Sequence, residues 1–381
     1  MKKFLKSGSV IVVLGPGGVG KTTIAAALGL ASAQANYRSG VITVDPARRL
    51  RDALGLPRLG TTPTRIDPRR LRSAGLDPHL QFFAMMQDTK ATWDSFVARF
   101  VTDPAVQQRI FANTFYRNLT TDFAGAENYA SLEQLYSLHE SGQFDIEIVD
   151  TPPAIQTFDF IEAPENLIKL LGSRSAQFIV SWTKLSKSSG FNLADRLVRR
   201  VVAELEKVAG ARPLSAIADF FADTGESLDA IVERMRSANA LLHSAAVKFV
   251  LVTTAAHDRL EEATALVREL KARRLKLVAV VINRAGDAEM VKARGRRSSR
   301  YRQAIAGIRT ASSHQQMQHQ TGPVLDFLQG YVEEQEAAIE RIAGFARELS
   351  NGIELMVVPE LGSGAVGLEG LARIAGKIVA S

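Results

Sequence analysis

Residues 15–23 read GPGGVGKTT, four glycines interleaved ahead of Lys21, Thr22 and Thr23. Glycines in such a run let successive backbone N–H groups turn inward onto an anion, and a following helix adds its positive end. Two phosphate-binding patterns fit. Gly15, Gly17 and Gly20 satisfy G-x-G-x-x-G, with Asp45 at the end of the next apolar run, as a dinucleotide site requires. Gly15, Gly20, Lys21 and Thr22 also satisfy G-x-x-x-x-G-K-[ST]. The Lys-Thr pair separates the two. It has no use in a helix packed behind a dinucleotide, whereas in a P-loop the lysine neutralises the β and γ phosphates and the hydroxyl ligates Mg²⁺. The loop therefore reads as a triphosphate cradle made by Gly15, Gly17, Gly18, Val19, Gly20, Lys21, Thr22 and Thr23. A nicotinamide-dependent oxidoreductase stays as a third-ranked alternative, one that a nicotinamide quench of Trp93 or Trp182 would revive.

A triphosphate loop needs an acid for its metal at the end of a neighbouring strand. Asp150, in IEIVDTPP, stands there, so Thr22 and Asp150 form the candidate Mg²⁺ pair. Asp45, in VITVDPARRL, also ends a strand; followed by Pro46 it makes a helix N-cap, and its strand end faces the ligand crevice of a parallel sheet.

The elements that must hold these residues are a β–α alternation. Apolar runs at 9–15, 40–45, 144–150, 247–253, 276–283 and 353–359 are strand-sized and continuous, which implies a mostly parallel sheet covered by helices on both faces. KTTIAAALGLASAQA (21–35) is a small-residue helix. Helical periodicity runs through LQFFAMMQDTKATWDSFVARF (80–100) and YASLEQLYSLHESG (129–142). The fold class is α/β, a single P-loop domain over 1–381 with helical insertions at about 60–140, 160–245 and 286–350 forming a subdomain.

Composition narrows the function classes. The chain has 381 residues, 46% hydrophobic, and no cysteine, which excludes disulfides, iron–sulfur clusters and thiolate metal sites. No apolar run approaches the roughly 20 residues of a membrane span. The N-terminus has a positive start without a small-residue cleavage site, so a cytoplasmic protein is expected. The net charge of +7 is spread out except at 46–72 and in VKARGRRSSRYR (291–302), with six Lys or Arg and no acid; a solvated face is the expected use, and a nucleic-acid partner is not.

Taken together, GPGGVGKTT, DPARRL, DTPPAIQTFDFIEAPENL and VTTAAHDRLEEATALVRELKARRLKLVAVVINR resemble the ArsA family, the arsenical-pump ATPases and the ATPases that guide tail-anchored membrane proteins. The wording is most similar to the bacterial members with one P-loop, often called anion-transporting ATPases. The resemblance implies ATP and Mg²⁺ as ligands and a dimer that switches between open and closed states. It implies that Gly17 to Thr23 wrap the phosphates, that Thr22 and, through water, Asp150 hold the metal, and that Asp45 orients the attacking water. It also implies that Asn283 contacts the adenine, helped by backbone near Pro359 and Glu360; the residue alone would read as a turn former.

Departures matter as much. The family loop reads G-K-G-G-V-G-K-T, and its first lysine reaches the partner subunit's nucleotide; Pro16 occupies that position here. Hydrolysis is then expected to be slow unless Arg48 or Arg49 substitutes, or unless a lysine-bearing paralogue completes a heterodimer. The alternative to an ATPase is a nucleotide-gated binding module. The missing cysteines remove arsenite thiolate binding and a zinc clasp between subunits. GSGAVG (362–367) lacks Lys and Thr and is expected to shape a loop near the base. The amphipathic C-terminal segment (Leu368, Leu371, Ile374, Ile378) is expected to fold back on the sheet. FFAMMQDTKATW (82–93) is expected in a core, with a groove for a hydrophobic client or membrane-protein partner as the other reading.

Overall fold

The computed structural model describes residues 4–44, 49–121, 126–151, 227–286, 296–311, 315–349, 352–361 and 367–380, with isolated positions between 161 and 225. The chain divides into two compact units. Met1–Met86, Gly142–Ala154 and Ala245–Ser381 form one; Gln87–Ser141 and Ile155–Ser244 form the other.

The first unit is built on an eight-stranded sheet: β1 (Ser9–Leu14), β2 (Ser39–Thr43), β3 (Thr64–Arg65), β4 (Phe82–Met86), β5 (Ile146–Asp150), β6 (Val247–Thr253), β7 (Leu277–Ile282) and β8 (Glu354–Val357). Their order is β3-β4-β2-β5-β1-β6-β7-β8, and only the β3–β4 pairing is antiparallel. β1, β2, β5 and β6 are buried along their whole length, which is why they read as unbroken apolar runs. The strands expected from sequence agree to within a residue or two of their ends.

Helices among the described residues, in chain order, are α1 (Lys21–Gln34), α2 (Arg49–Ala53), α3 (Pro68–Ser73), α4 (Thr89–Phe100), α5 (Pro104–Ala112), α6 (Thr114–Thr121), α7 (Ala126–Ser141), α8 (Leu228–Leu242), α9 (His257–Ala272), α10 (Arg296–Ala311), α11 (Gln315–Glu348) and α12 (Gly367–Ala380). The alanines of α1 pack against Ile11, Val13, Val41 and Ile148 of the sheet, and Leu368, Leu371, Ile374 and Ile378 of α12 enter the same core. The C-terminal segment therefore folds back on the sheet as its spacing predicted, with its apolar side spent in packing.

One expectation is corrected. The helical reading of 80–100 holds only for α4; FFAMM is β4, hydrogen-bonded in parallel register to β2 from Ser39↔Phe82 to Thr43↔Met86. Phe82 and Ala84 join the α1 side of the core while the Phe83 ring meets Phe144 at 5.4 Å, the two-residue alternation of a strand. Five apolar residues cannot be assigned by period alone, and the ladder offered by β2 decides. β3, two exposed residues on the sheet edge, carries no pattern to read.

The second unit is helical. Asp88 and Asp103 cap α4 and α5 by accepting from Ala91 N and Ala105 N at 2.9 and 2.8 Å. Trp93, Phe96 and Tyr129 form its aromatic centre with Met235 of α8. The large side chains of the 82–93 stretch are thus spent in two cores, Phe82 and Met85 in the first unit and Trp93 in the second, as the core reading had it. Arg234 ties α8 to α7: its Nε donates to Glu133 at 2.7 Å, Nη1 to Glu140 at 2.9 Å and Nη2 to Ser137 Oγ at 2.8 Å, with the guanidinium 4.6 Å from the Tyr136 ring centroid.

Alternation along β5 puts Ile146 and Ile148 on the α1 side and turns Glu147 to the other face, where it is only 2% exposed. Burial pushes its carboxyl up from 4.5 to about 8. A raised carboxyl pKa means that the folded chain keeps a proton the unfolded chain has lost, so stability falls as pH rises from about 4.5 to 8. Urea unfolding at pH 5 and pH 8 is expected to show this loss, on the order of 2–4 kcal/mol, and Glu147→Gln is expected to remove it. Equal pH dependence in both proteins would contradict the assignment.

Candidate functional site

The glycine loop joins the end of β1 to the start of α1, at the carboxyl edge of the sheet. Two of its glycines are required by space. A Cβ on Gly15 would collide with the Val252 carbonyl of β6, and Gly20 closes the loop at φ 94°, where a Cβ would also strike the Asn283 amide. Lys21, at the first position of α1, is only 7% exposed. Its Nζ donates to the carbonyls of Gly15 and Pro16, each at 3.0 Å, so the ammonium lies across the loop that precedes it. Gly17 and Gly18 are exposed, Val19 is buried, and Thr22 and Thr23 are half-buried on the first turn of α1. Together they present exposed backbone, a hydroxyl pair and a cation at one helix N-terminus.

The neighbouring strand ends are tied to this loop by register. Asp150 pairs with Val13 of β1 on one side and with Thr43 of β2 on the other. Its carboxylate is fully buried, and Oδ2 accepts from Thr43 Oγ1 at 2.9 Å. The next residue bridges back, with Thr151 Oγ1 donating to Val13 O at 2.8 Å, while Val44 N donates to Asp150 O at 3.1 Å. The parity that puts Ile148 and Val41 on the α1 side puts Asp150 and Thr43 there too.

Asn283, at the end of β7, is 6% exposed and donates through Nδ2 to Val19 O at 2.7 Å, while its N–H donates to Thr253 O at 2.7 Å. It thereby braces the glycine loop from the β6–β7 side. Val358 N donates to Ile282 O and Ala285 N to Val358 O, which brings the half-buried Pro359 to the same edge. Asp45, Arg48, Trp182 and residues 152–160, 291–295 and 362–366 lie outside the described residues. Arg49 begins α2 and is exposed.

Sequence reasoning missed Thr43 and the Asn283–Val19 bond. Thr43 had a readable signal, a hydroxyl two residues before Asp45 in the sequence; the Asn283 bond had none, because it joins positions far apart in the chain. The donor set suits Mg²⁺: a hydroxyl at Thr22 and a carboxylate at Asp150 are hard oxygens, and that ion takes one or two carboxylates plus substrate phosphates. Among the described residues no cluster of three or more His, Asp or Glu side chains forms an all-protein cage.

A parallel sheet with a Lys-Thr glycine loop between β1 and α1 defines the α/β P-loop nucleotide-binding class. Comparison with known proteins narrows the class. The chain matches the family model of the ArsA-type anion-transporting ATPases over residues 8–316 and belongs to that family. It is 25% identical over 287 residues to a protein of Prosthecochloris vibrioformis named as a candidate arsenical pump-driving ATPase, covering 74% of this chain and 62% of that protein. A protein of Chlorobaculum tepidum with the same name is 24% identical with the same coverage, so the chain spans 62% of the length of both. ATPase get3 of Aspergillus terreus is 22% identical over 302 residues, 77% of this chain and 80% of that one.

Proposed function

We propose that the chain is a Mg²⁺-dependent ATPase whose dimer opens and closes with its nucleotide to act on a protein or membrane-associated partner. One observation carries this reading: the buried Lys21 ammonium folded into a glycine loop beside the Asp150–Thr43 pair. Gly15, Gly17, Gly18, Val19, Gly20, Lys21, Thr22 and Thr23 bind the phosphates, Lys21 by exchanging its two carbonyl partners for phosphate oxygens. Thr22 and Asp150 hold the metal, which supplies charge neutralisation at the β and γ phosphates. Asp45 orients the water that attacks the γ phosphate. Asn283 and the backbone at Pro359 meet the adenine, Asn283 while holding Val19 in place. The names of the relatives support nucleotide hydrolysis, and the missing cysteines argue against arsenite as the ligand.

Pro16 favours a second reading, a catalytically weak, nucleotide-gated binding module. It is buried, its carbonyl accepts from Lys21, and it brings no cation. A trans-acting cation contributes about 10³- to 10⁵-fold to phosphoryl transfer. Single-turnover hydrolysis by the full chain with Mg²⁺ distinguishes the readings. Rapid turnover lowered about 10²-fold or more by Arg48→Ala or Arg49→Ala is expected if an arginine replaces the lysine; no turnover at all leaves the binding module or a heterodimer with a lysine-bearing paralogue. Asp45→Asn, loaded with ATP, is the bait that would capture such a paralogue or a client.

A further inference from the structure

Three threonines stand at the carboxyl edge of the sheet: Thr43 at the end of β2, Thr151 directly after β5 and Thr253 at the end of β6. Each is at most 2% exposed, so each hydroxyl has left water and needs a partner inside the fold. Two of them serve backbone. Thr151 Oγ1 donates to Val13 O and Thr253 Oγ1 to Arg259 O, each at 2.8 Å. Thr43 differs, because its Oγ1 donates at 2.9 Å to Oδ2 of Asp150, the carboxylate proposed as a metal ligand.

The register makes this bond direct. β2 and β5 are parallel neighbours with Thr43 opposite Asp150, and both side chains take the α1 side of the sheet. Val44 N donates to Asp150 O at 3.1 Å, which fixes the two backbones beside the pair. A threonine is stiff at χ1, since two heavy atoms branch from its Cβ. The last torsion of an aspartate is soft, so an unaided carboxylate can turn about it. A proton delivered from one fixed side sets the plane of that carboxylate and favours its ionised form, the form that a cation requires. Mg²⁺ demands near-octahedral geometry and penalises a misdirected oxygen. The hydrogen bonds behind a metal ligand are worth roughly 10- to 100-fold in metal affinity.

We propose that Thr43 is a positioning residue for magnesium: it holds the Asp150 carboxylate in the orientation in which that group meets the ion, and acts through it, not on the phosphates. Resting on the reading of Asp150 as a metal ligand, this role predicts a loss confined to Mg²⁺-dependent binding. Affinity of the full chain for a non-hydrolysable ATP analogue, measured by calorimetry in EDTA and again with Mg²⁺, gives the readout without turnover. Thr43→Val keeps the branched shape and loses the hydroxyl. It is expected to bind within about twofold of the parent in EDTA, while the ratio of affinities with and without Mg²⁺ falls roughly 10-fold or more. Thr43→Ser is expected to return that ratio to within about threefold of the parent. Should Thr43→Val melt well below the parent, Thr43→Ser and Thr43→Ala, which both lack the methyl and differ in the hydroxyl, repeat the contrast. An unchanged ratio in Thr43→Val, an equal loss of affinity in both media, or Thr43→Ser no better than Thr43→Ala would overturn the proposal. Failure of the underlying reading looks different. Asp150→Asn would then keep the parent's ratio, or the parent would bind no nucleotide in either medium, and the role of Thr43 would fall with it.

Discussion

Lys21→Ala is expected to weaken ATP binding about 10²- to 10³-fold, the worth of losing charge-assisted contacts at the triphosphate, roughly 3–4 kcal/mol. The geometry gives this loss two sources. The ammonium is only 7% exposed and already desolvated, so nothing in the loop must be stripped of water before it meets an anion. It also bonds both Gly15 O and Pro16 O, so its removal loosens the loop whose N–H groups remain to bind. Calorimetric titration of the full chain with ATP and Mg²⁺ measures the first effect. An unfolding midpoint taken without nucleotide separates it from general loss of structure, because the variant should melt near the parent when empty and gain little on adding ATP. Unaltered affinity in Lys21→Ala would remove the triphosphate site from this loop.

Arg234→Ala is expected to cost about 3–5 kcal/mol of stability in the helical unit. Its partner Glu133 has a side chain only 4% exposed, and burial already pushes that carboxyl up against the opposing pull of the arginine. Without Arg234 the carboxylate has lost its cation and must take a proton or draw in water. The deficit is therefore expected to shrink as pH is lowered, since a protonated Glu133 no longer buries a charge. Arg234→Met combined with Glu133→Leu, which removes both charges and refills the volume, is expected to recover most of the loss. Denaturant unfolding of the single and double variants at pH 8 and pH 5 measures both contrasts. Equal losses in the two variants at both pH values would show that the packing of the long side chain, and not its charge, holds α7 to α8.

Local chemistry was legible in the sequence wherever residue type alone decides. Gly15 to Thr23 announce themselves because few sequences place Lys and Thr behind such glycines, and β1, β5, β6 and β7 do so because a strand covered on both faces has no polar side to break the run. α12 followed from the spacing of Leu368, Leu371, Ile374 and Ile378. FFAMM was misread because its ladder partner, Ser39 to Thr43, lies some forty residues away and its own composition fits helix or strand. Pairwise facts stayed invisible for the same reason. The burial of Glu147, the Arg234 network and the Asn283–Val19 bond depend on which face or which distant carbonyl the fold supplies, and neither is encoded in a neighbouring residue.

Thr43 and Asp150 are bonded side chain to side chain, with Val44 N on the Asp150 carbonyl and Thr151 Oγ1 on Val13 O. The chain then continues from Val44 into DPARRL and from Thr151 into PPAIQ. Two segments separated by more than a hundred residues thus share a single anchor, like two ropes made fast to one cleat. A pull on that carboxylate would therefore act on Val44 and Thr151 together, at the two points from which those stretches leave the sheet.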